Sequence, residues 1–136
     1  MKLAINGLGR IGRNVLRAHY ERSPSTKIQI AAVNELADLP TLAHLIQYDS
    51  THGRFQGKVN TLNDKLLLNE DEIVVSQIED INELNWQGID LVLECTGAYD
   101  KRSDAAIHLQ NGAKRVLFSQ PASPDVDITL VYGINH

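Results

Sequence analysis

The sequence predicts an α/β protein in which helices cover both faces of a mainly parallel sheet, with a small antiparallel insertion in the middle of the chain. Short apolar runs alternate with stretches whose apolar residues recur every three or four positions, as strands and helices do. The predicted strands are apolar throughout, as expected of a parallel sheet that is buried on both faces. Near residue 63 two short apolar runs flank Asn63 and Asp64, a pair that favours a tight hairpin turn.

Each element follows from a local pattern. The principal strands are predicted at residues 3–5, 28–33, 89–93, 116–118 and 128–132. Helices are predicted along the face formed by Ile11, Val15 and Ala18, from near Pro40 to Ile46, and from Ser103 to Gln110. The antiparallel insertion is predicted at residues 56–77, with strands in 58–62, 65–68 and 73–75. Residues 1–136 contain no repeat, charge block or linker, so they are expected to form one domain.

Composition excludes several classes of protein. The chain has 136 residues, of which 43% are hydrophobic and 22% charged, so it is expected to fold around one core. This composition is not that of a disordered, collagen-like or low-complexity chain. Its net charge of -4 disfavours a non-specific nucleic-acid binder. No apolar run approaches the roughly 20 residues of a membrane span, and the polar start of the chain is not that of a signal peptide. A single cysteine, Cys95, fits a reducing cytoplasm, which is the expected location.

A glycine-rich segment joins the first predicted strand to the first predicted helix. Gly7, Gly9 and Gly12 match the pattern G-x-G-x-x-G in the strand-then-helix context that dinucleotide sites require. In such sites the first glycine permits a tight turn, the second lets a pyrophosphate approach the backbone, and the third lets the helix pack close to the strand. The alternative is a glycine-rich turn that holds no ligand. The helix N-terminus adds free N–H groups and a partial positive charge that favour phosphate.

An acidic residue follows the second predicted strand at the position expected of a ribose ligand. Glu35 lies 23 residues beyond Gly12, directly after Asn34. A carboxylate about 20 residues past the glycines accepts hydrogen bonds from the ribose hydroxyls and repels a 2′-phosphate. The pattern therefore predicts NAD rather than NADP as the cofactor, the alternative for Glu35 being a solvated loop carboxylate.

Longer segments resemble a known family. The sequence reads NGLGRIGR at residues 6–13, QYDSTHGRF at 47–55, ECTG at 94–97, GAKRV at 112–116 and GINH at 133–136. Together these segments resemble the glyceraldehyde-3-phosphate dehydrogenase family along essentially the whole chain. The resemblance implies a Rossmann-type domain that binds NAD(P). It further implies that the family's nucleophilic cysteine, histidine base and substrate phosphate sites lie beyond residue 136, so no catalytic residue is expected in this chain and the chain alone is expected to be inactive.

The resemblance also assigns cofactor contacts. It places Arg10 and Ile11 at the cofactor through their backbone, and Glu35 at the adenosine ribose. Thr96, Gly97 and Ser119 follow predicted strands at the sheet edge where cofactors bind. The full set of predicted cofactor residues is Gly7, Gly9, Arg10, Ile11, Gly12, Asn34, Glu35, Thr96, Gly97 and Ser119. The family's arginine near the adenine is replaced here by Glu79.

Finer details resemble the erythrose-4-phosphate dehydrogenase branch of that family. They are NELAD at residues 34–38, the cysteine in ECTG, and DVDITLVYG at 125–133. For the parent enzyme this implies oxidation of a phosphorylated aldose to its acid, 4-phosphoerythronate, for pyridoxal phosphate synthesis. The resemblance also implies that the reaction passes through a thiohemiacetal and a hydride transfer to NAD. The parent enzyme is expected to be a homotetramer. The alternatives are a glycolytic glyceraldehyde-3-phosphate dehydrogenase and a stand-alone nucleotide-binding module without chemistry.

Other reactive side chains are expected to be structural. Cys95 has no histidine near it in sequence and ends a buried strand, so it is expected to pack as a small apolar group. The five histidines show no metal-ligand spacing, and no metal site is predicted. His44 and His108 are expected on helix surfaces, Arg17 on a solvated face, and Arg13 in a structural contact.

Overall fold

A computed structural model describes residues 1–22 and 27–136. The strands are β1 (Lys2–Asn6), β2 (Gln29–Asn34), β3 (Tyr48–Asp49), β4 (Gly53–Arg54), β5 (Val59–Leu62), β6 (Lys65–Leu68), β7 (Asp71–Ser76), β8 (Leu91–Glu94) and β9 (Val116–Phe118). The α-helices are α1 (Arg10–Glu21), α2 (Leu39–Gln47) and α3 (Arg102–Gln110), and a 3-10 turn spans Ile81–Glu83. Within these described residues, seven strands form one sheet in the order β5-β6-β7-β2-β1-β8-β9.

The centre of the sheet is parallel. β1 lies between β2 and β8, and β7 and β9 extend the parallel arrangement on either side. The chain moves from β1 to β2 in one direction and later returns to add β8 on the other side of β1. Parallel sheets of this kind bind ligands where the strand order reverses, at the carboxyl ends of the strands. The predicted α/β class and doubly wound sheet are confirmed, and the strand order reverses between β1 and β8.

The antiparallel insertion is also confirmed. β5, β6 and β7 form an antiparallel meander, and Leu62 pairs with Lys65 across the predicted Asn63–Asp64 turn. Asn63 has a φ of 53°, the left-handed conformation that this short turn requires and that asparagine tolerates. β7 closes the insertion by pairing in parallel with β2, so the insertion extends the main sheet at its far edge.

Apolar side chains pack on both faces of the sheet. One cluster includes Leu16 of α1 and Ile46 of α2, which cover β1, β2 and the insertion. The second cluster includes Trp86, Ala4 and Val92. α2 begins one residue before the predicted Pro40, because the Asp38 carboxylate caps its first turn and accepts a hydrogen bond from Thr41 N at 2.8 Å.

The helical periodicity predicted for α1 is confirmed, but two expectations about side chains on α1 and α3 are wrong. α1 buries Gly12, Leu16 and Arg17 and packs Val15 against the core, whereas Ile11 is exposed. Arg17 was expected in solvent, but its side chain is only 3% exposed. It pairs with Glu21 at 3.1 Å and lies over the Phe55 ring.

His108 of α3 is fully buried instead of surface-exposed, because Trp86 and Glu94 satisfy both of its ring nitrogens.

The predicted strand at 128–132 is also wrong. The structure gives this segment no strand, and Ile128, Leu130 and Tyr132 are exposed. Its backbone is held by local bonds, such as Ile134 N to Val131 O at 3.0 Å, rather than by a neighbouring strand. An apolar run shows that a segment could form a strand, but a ladder also needs a partner, and the segment does not pair with β9 in this structure.

Candidate functional site

The glycine turn after β1 leaves room for main chain only. Gly7 has a φ of 90°, and its N–H donates to Asn34 O at 2.8 Å, which ties the end of β1 to the end of β2. A Cβ atom on Gly7 would lie 2.8 Å from Thr96 N, and one on Gly12 would lie 2.1 Å from Gly7 O. The turn, the helix behind it and the turn after β8 are therefore packed backbone against backbone.

Gly9 differs from the other two glycines. A Cβ atom on Gly9 would meet nothing within 4 Å, so the space beside it is open. Gly9 is also the N-cap residue of α1 and supplies no side-chain cap to the helix. The first N–H groups of α1 thus begin beside open space with a partial positive charge, which is the arrangement that binds phosphate. Arg10 and Ile11 are exposed at this end of the helix.

Glu35 is held against the glycine turn. Its Oε2 atom accepts a hydrogen bond from Leu8 N at 2.6 Å, and its Oε1 atom accepts one from Leu36 N at 2.9 Å. The Glu35 backbone N–H donates to Ser76 O at 2.9 Å, which fixes the segment to β7. The half-buried carboxylate is therefore fixed beside Leu8, with its negative charge next to the glycine turn.

Asn34 is engaged inside the protein. Its amide group donates to Asn6 Oδ1 at 2.9 Å and to Ile78 O at 2.8 Å. Its side-chain oxygen, Oδ1, accepts hydrogen bonds from Ser76 Oγ and Ile78 N, both at 2.9 Å. The side chain thus ties β1, β2 and the segment after β7 together.

The turn after β8 packs against the glycine turn. Thr96 donates its backbone N–H to Glu94 Oε1 at 2.8 Å and its hydroxyl to the same oxygen. The hydroxyl accepts in return from Ala98 N at 3.1 Å. The Thr96 hydroxyl proton is therefore used within the turn, and Gly97, with a φ of 78°, continues it.

Ser119 and Cys95 lie at the carboxyl ends of β9 and β8. Ser119 follows β9, and its backbone N–H donates to Glu94 O at 3.0 Å. The Cys95 N–H donates to Asn6 O at 2.8 Å, so the half-buried cysteine continues the ladder between β1 and β8. Burial raises the pKa of the Cys95 thiol, and a hydrogen bond with Ser119 only partly opposes that shift. A thiol held protonated is a weak nucleophile, in keeping with the expected structural role.

Sequence reasoning did not single out the buried polar network beneath these turns. Glu94 is fully buried, and its Oε2 atom accepts from Asn6 Nδ2 at 2.6 Å and contacts His108 Nε2 at 3.0 Å. Trp86 Nε1 donates to His108 Nδ1 at 2.8 Å. Because an indole N–H can only donate, Nδ1 must accept and Nε2 carries the proton that is donated to Glu94. The sequence signal that could have indicated this network is Glu94, a carboxylate at the end of an apolar strand.

The donors around Glu94 keep it ionised. Burial alone would raise the pKa of this carboxyl, but hydrogen bonds from His108, Thr96 and Asn6 outweigh burial and lower it. The network therefore carries a fixed negative charge directly below the Thr96 turn. Among the described residues, no cluster of three or more potential metal ligands occurs.

The structure brings the predicted residues to one edge of the sheet. The glycine turn, Glu35, the Thr96–Gly97 turn and Ser119 stand at the carboxyl ends of β1, β2, β8 and β9. Glu79 is exposed beyond β7. Together, a reversing parallel sheet, a glycine turn that opens a helix and a carboxylate at the end of the second strand define a dinucleotide-binding domain.

Comparison with known proteins gives the family. Residues 1–102 match the model for glyceraldehyde 3-phosphate dehydrogenase, NAD binding domain. The chain belongs to the glyceraldehyde 3-phosphate dehydrogenase family and contains its NAD-binding domain. The chain is 50% identical over 138 residues to the chromosomal glyceraldehyde-3-phosphate dehydrogenase of Cupriavidus necator and 49% identical to the plasmid one. All of this chain is covered, but only 41% of each relative.

No helix in the part of the chain that the structure describes is long and apolar enough to cross a membrane.

Proposed function

We propose that this chain is the cofactor-binding part of an NAD-dependent dehydrogenase that oxidises a phosphorylated aldose. The observation that carries the proposal is the Glu35 carboxylate fixed 2.6 Å from Leu8 N, beside the open space at Gly9. This geometry suits a pyrophosphate at the N-terminus of α1 and a ribose diol on Glu35. The residues proposed to bind the cofactor are the ten predicted from the sequence: Gly7, Gly9, Arg10, Ile11, Gly12, Asn34, Glu35, Thr96, Gly97 and Ser119.

The residues of the chain bind and orient the cofactor. The amides at the start of α1 would hold the pyrophosphate, and the turn at Thr96 and Gly97 would form the opposite wall of the crevice. NAD, when bound, supplies the hydride acceptor for the aldehyde oxidation. We assign no catalytic group to this chain, since Cys95 is half-buried and burial raises the pKa of its thiol.

For the substrate we propose D-erythrose 4-phosphate, with 4-phosphoerythronate as the product and pyridoxal phosphate synthesis as its use. The segments NELAD at 34–38 and ECTG at 94–97 support this branch. A second candidate is glyceraldehyde 3-phosphate, which the names of the two relatives favour. A cytoplasmic homotetramer is the proposed working form, as the family resemblance implies.

The substrate proposal is tested by kinetics on the natural-length protein. We expect kcat/KM for D-erythrose 4-phosphate to exceed that for glyceraldehyde 3-phosphate by at least about tenfold, equivalent to roughly 1.4 kcal/mol of transition-state discrimination. The opposite ratio would establish the glycolytic substrate instead. Binding of NAD without turnover of either aldehyde would favour a nucleotide-binding module.

Glu35 predicts the choice of cofactor. We expect the protein to bind NAD at least about tenfold more tightly than NADP at equal ionic strength, because the carboxylate repels a 2′-phosphate. Glu35→Ala should weaken NAD binding about tenfold and narrow that preference, because charge-assisted hydrogen bonds contribute about 1.5–3 kcal/mol each. Titration calorimetry measures both affinities.

The matched control for Glu35→Ala is Glu70→Ala, which removes an exposed carboxylate at the turn between β6 and β7. It should leave both affinities unchanged. Tighter binding of NADP by the unmodified protein would show that Glu35 does not face the ribose.

A further inference from the structure

The two oxygens of Glu94 face different parts of the molecule. Oε1 accepts both hydrogen bonds from Thr96 in the turn after β8, while Oε2 contacts the buried side chains of Asn6 and His108. A fully buried carboxylate is strongly destabilising unless donors surround it, and this one has four. Glu94 therefore joins the core of the domain to the turn at its surface.

The core side of this connection is rigid. Trp86 fixes which nitrogen of His108 carries the proton, so His108 can only donate to Glu94. Asn6 is oriented in the same way, since its Oδ1 atom accepts from Asn34 and its amide nitrogen must then donate to Glu94. Neither partner of Oε2 can exchange its role without breaking another buried hydrogen bond.

The surface side sets the shape of the crevice. Thr96 lies so close to the glycine turn that a Cβ atom on Gly7 would be 2.8 Å from Thr96 N and 2.9 Å from Thr96 Cα. Both hydrogen bonds that Thr96 donates end on Glu94 Oε1. A shift of the carboxylate would therefore move the Thr96 turn relative to Gly7 and the glycine turn.

We propose that Glu94 is a positioning residue for cofactor binding, whose buried carboxylate holds the Thr96–Gly97 turn at the distance from the glycine turn that the dinucleotide needs. It acts through Thr96 and does not itself touch the cofactor. This inference rests on the proposed cofactor site, and the two are tested separately below.

The direct test is Glu94→Gln, which keeps the shape and removes the charge. In either orientation of the new amide, its NH2 group meets donors, from Thr96 on one side or from Asn6 and His108 on the other. We expect the affinity for NAD to fall at least tenfold in the natural-length protein at a temperature where it is folded. Glu94→Asp keeps the charge and should give an intermediate affinity.

The control separates positioning from stability. Leu66→Ala removes buried apolar volume in the insertion, far along the sheet from the crevice, and is expected to destabilise the fold without altering Thr96. NAD affinity within twofold of wild type is expected for Leu66→Ala. A folded Glu94→Gln protein with unchanged affinity would overturn the proposal, as would an equal loss of affinity in Leu66→Ala.

Hydrogen exchange gives a measurement that needs no variant. The Thr96 amide should be protected as strongly as the amides of β8, because its hydrogen bond ends on a buried carboxylate. Exchange at the rate of an open loop amide would overturn the positioning role. If the unmodified protein does not bind NAD at all, the proposed cofactor site itself fails, whatever the Glu94 variants do.

Discussion

Replacing Gly12 with alanine is expected to lower the free energy of unfolding by about 3 kcal/mol or more. The new methyl group would lie 2.1 Å from Gly7 O and 3.3 Å from Ile5 Cγ2. The nearer atom is backbone, so α1 must move away from β1, and the higher helix propensity of alanine, worth about 1 kcal/mol, offsets only part of the cost. Denaturant unfolding followed by circular dichroism measures the change.

Gly9→Ala is the matched control for that variant. Gly9 has a φ of -63°, which alanine adopts readily, and its Cβ atom would meet nothing. Stability should stay within about 0.5 kcal/mol of wild type. NAD affinity should nevertheless fall about tenfold, because the methyl group would fill space that the proposed pyrophosphate requires. Equal stability of the Gly12 variant would contradict the close approach of helix and strand.

His108→Leu is expected to destabilise the fold by about 3–5 kcal/mol at neutral pH. The leucine fills the space but removes one donor from the buried Glu94 carboxylate and the acceptor of the Trp86 indole N–H. Removing a hydrogen-bond donor from a buried carboxylate is strongly destabilising, because its charge is left under-compensated. Thermal and denaturant unfolding would both report the loss.

The pH dependence identifies the cause. The pKa of Glu94 is lowered in the folded protein, so the stability that its carboxylate contributes is present above the ordinary glutamate pKa and is lost as pH falls through the folded value. The difference between wild type and His108→Leu should therefore shrink as the pH is lowered below about 4. His44→Leu, at an exposed position of α2, should change stability by no more than about 0.5 kcal/mol. A difference that does not vary with pH would show that lost packing, not the charge, is responsible.

The features that sequence reasoning predicted well are local ones. The glycine turn, the Asn63–Asp64 hairpin and the strands β1, β2, β8 and β9 each depend on neighbouring residues, and the structure has all of them. Glu35 could be placed because the spacing from the glycines is set by one helix and one strand. The sequence pattern could not predict the hydrogen bond from Leu8 N to the Glu35 carboxylate, since that bond depends on the path of the turn.

The errors concern polar residues whose environment comes from distant parts of the chain. His108 was expected in solvent because imidazole is polar, but Trp86 lies 22 residues before it and Glu94 lies 14 residues before it. Apolar periodicity located helix α1, but it ignores Gly12, which the helix buries. In the structure Gly12 packs against the glycine turn, where a Cβ atom on it would lie 2.1 Å from Gly7 O. The segment 128–132 had strand character, but pattern alone does not reveal whether a strand neighbour exists.

The indole of Trp86 has a practical consequence. It is the only tryptophan in the chain, it is 2% exposed, and its N–H bonds the imidazole that supports Glu94. Intrinsic fluorescence excited selectively at tryptophan therefore comes from one buried site. Its emission wavelength and quantum yield provide a label-free optical reporter for the interior of this domain.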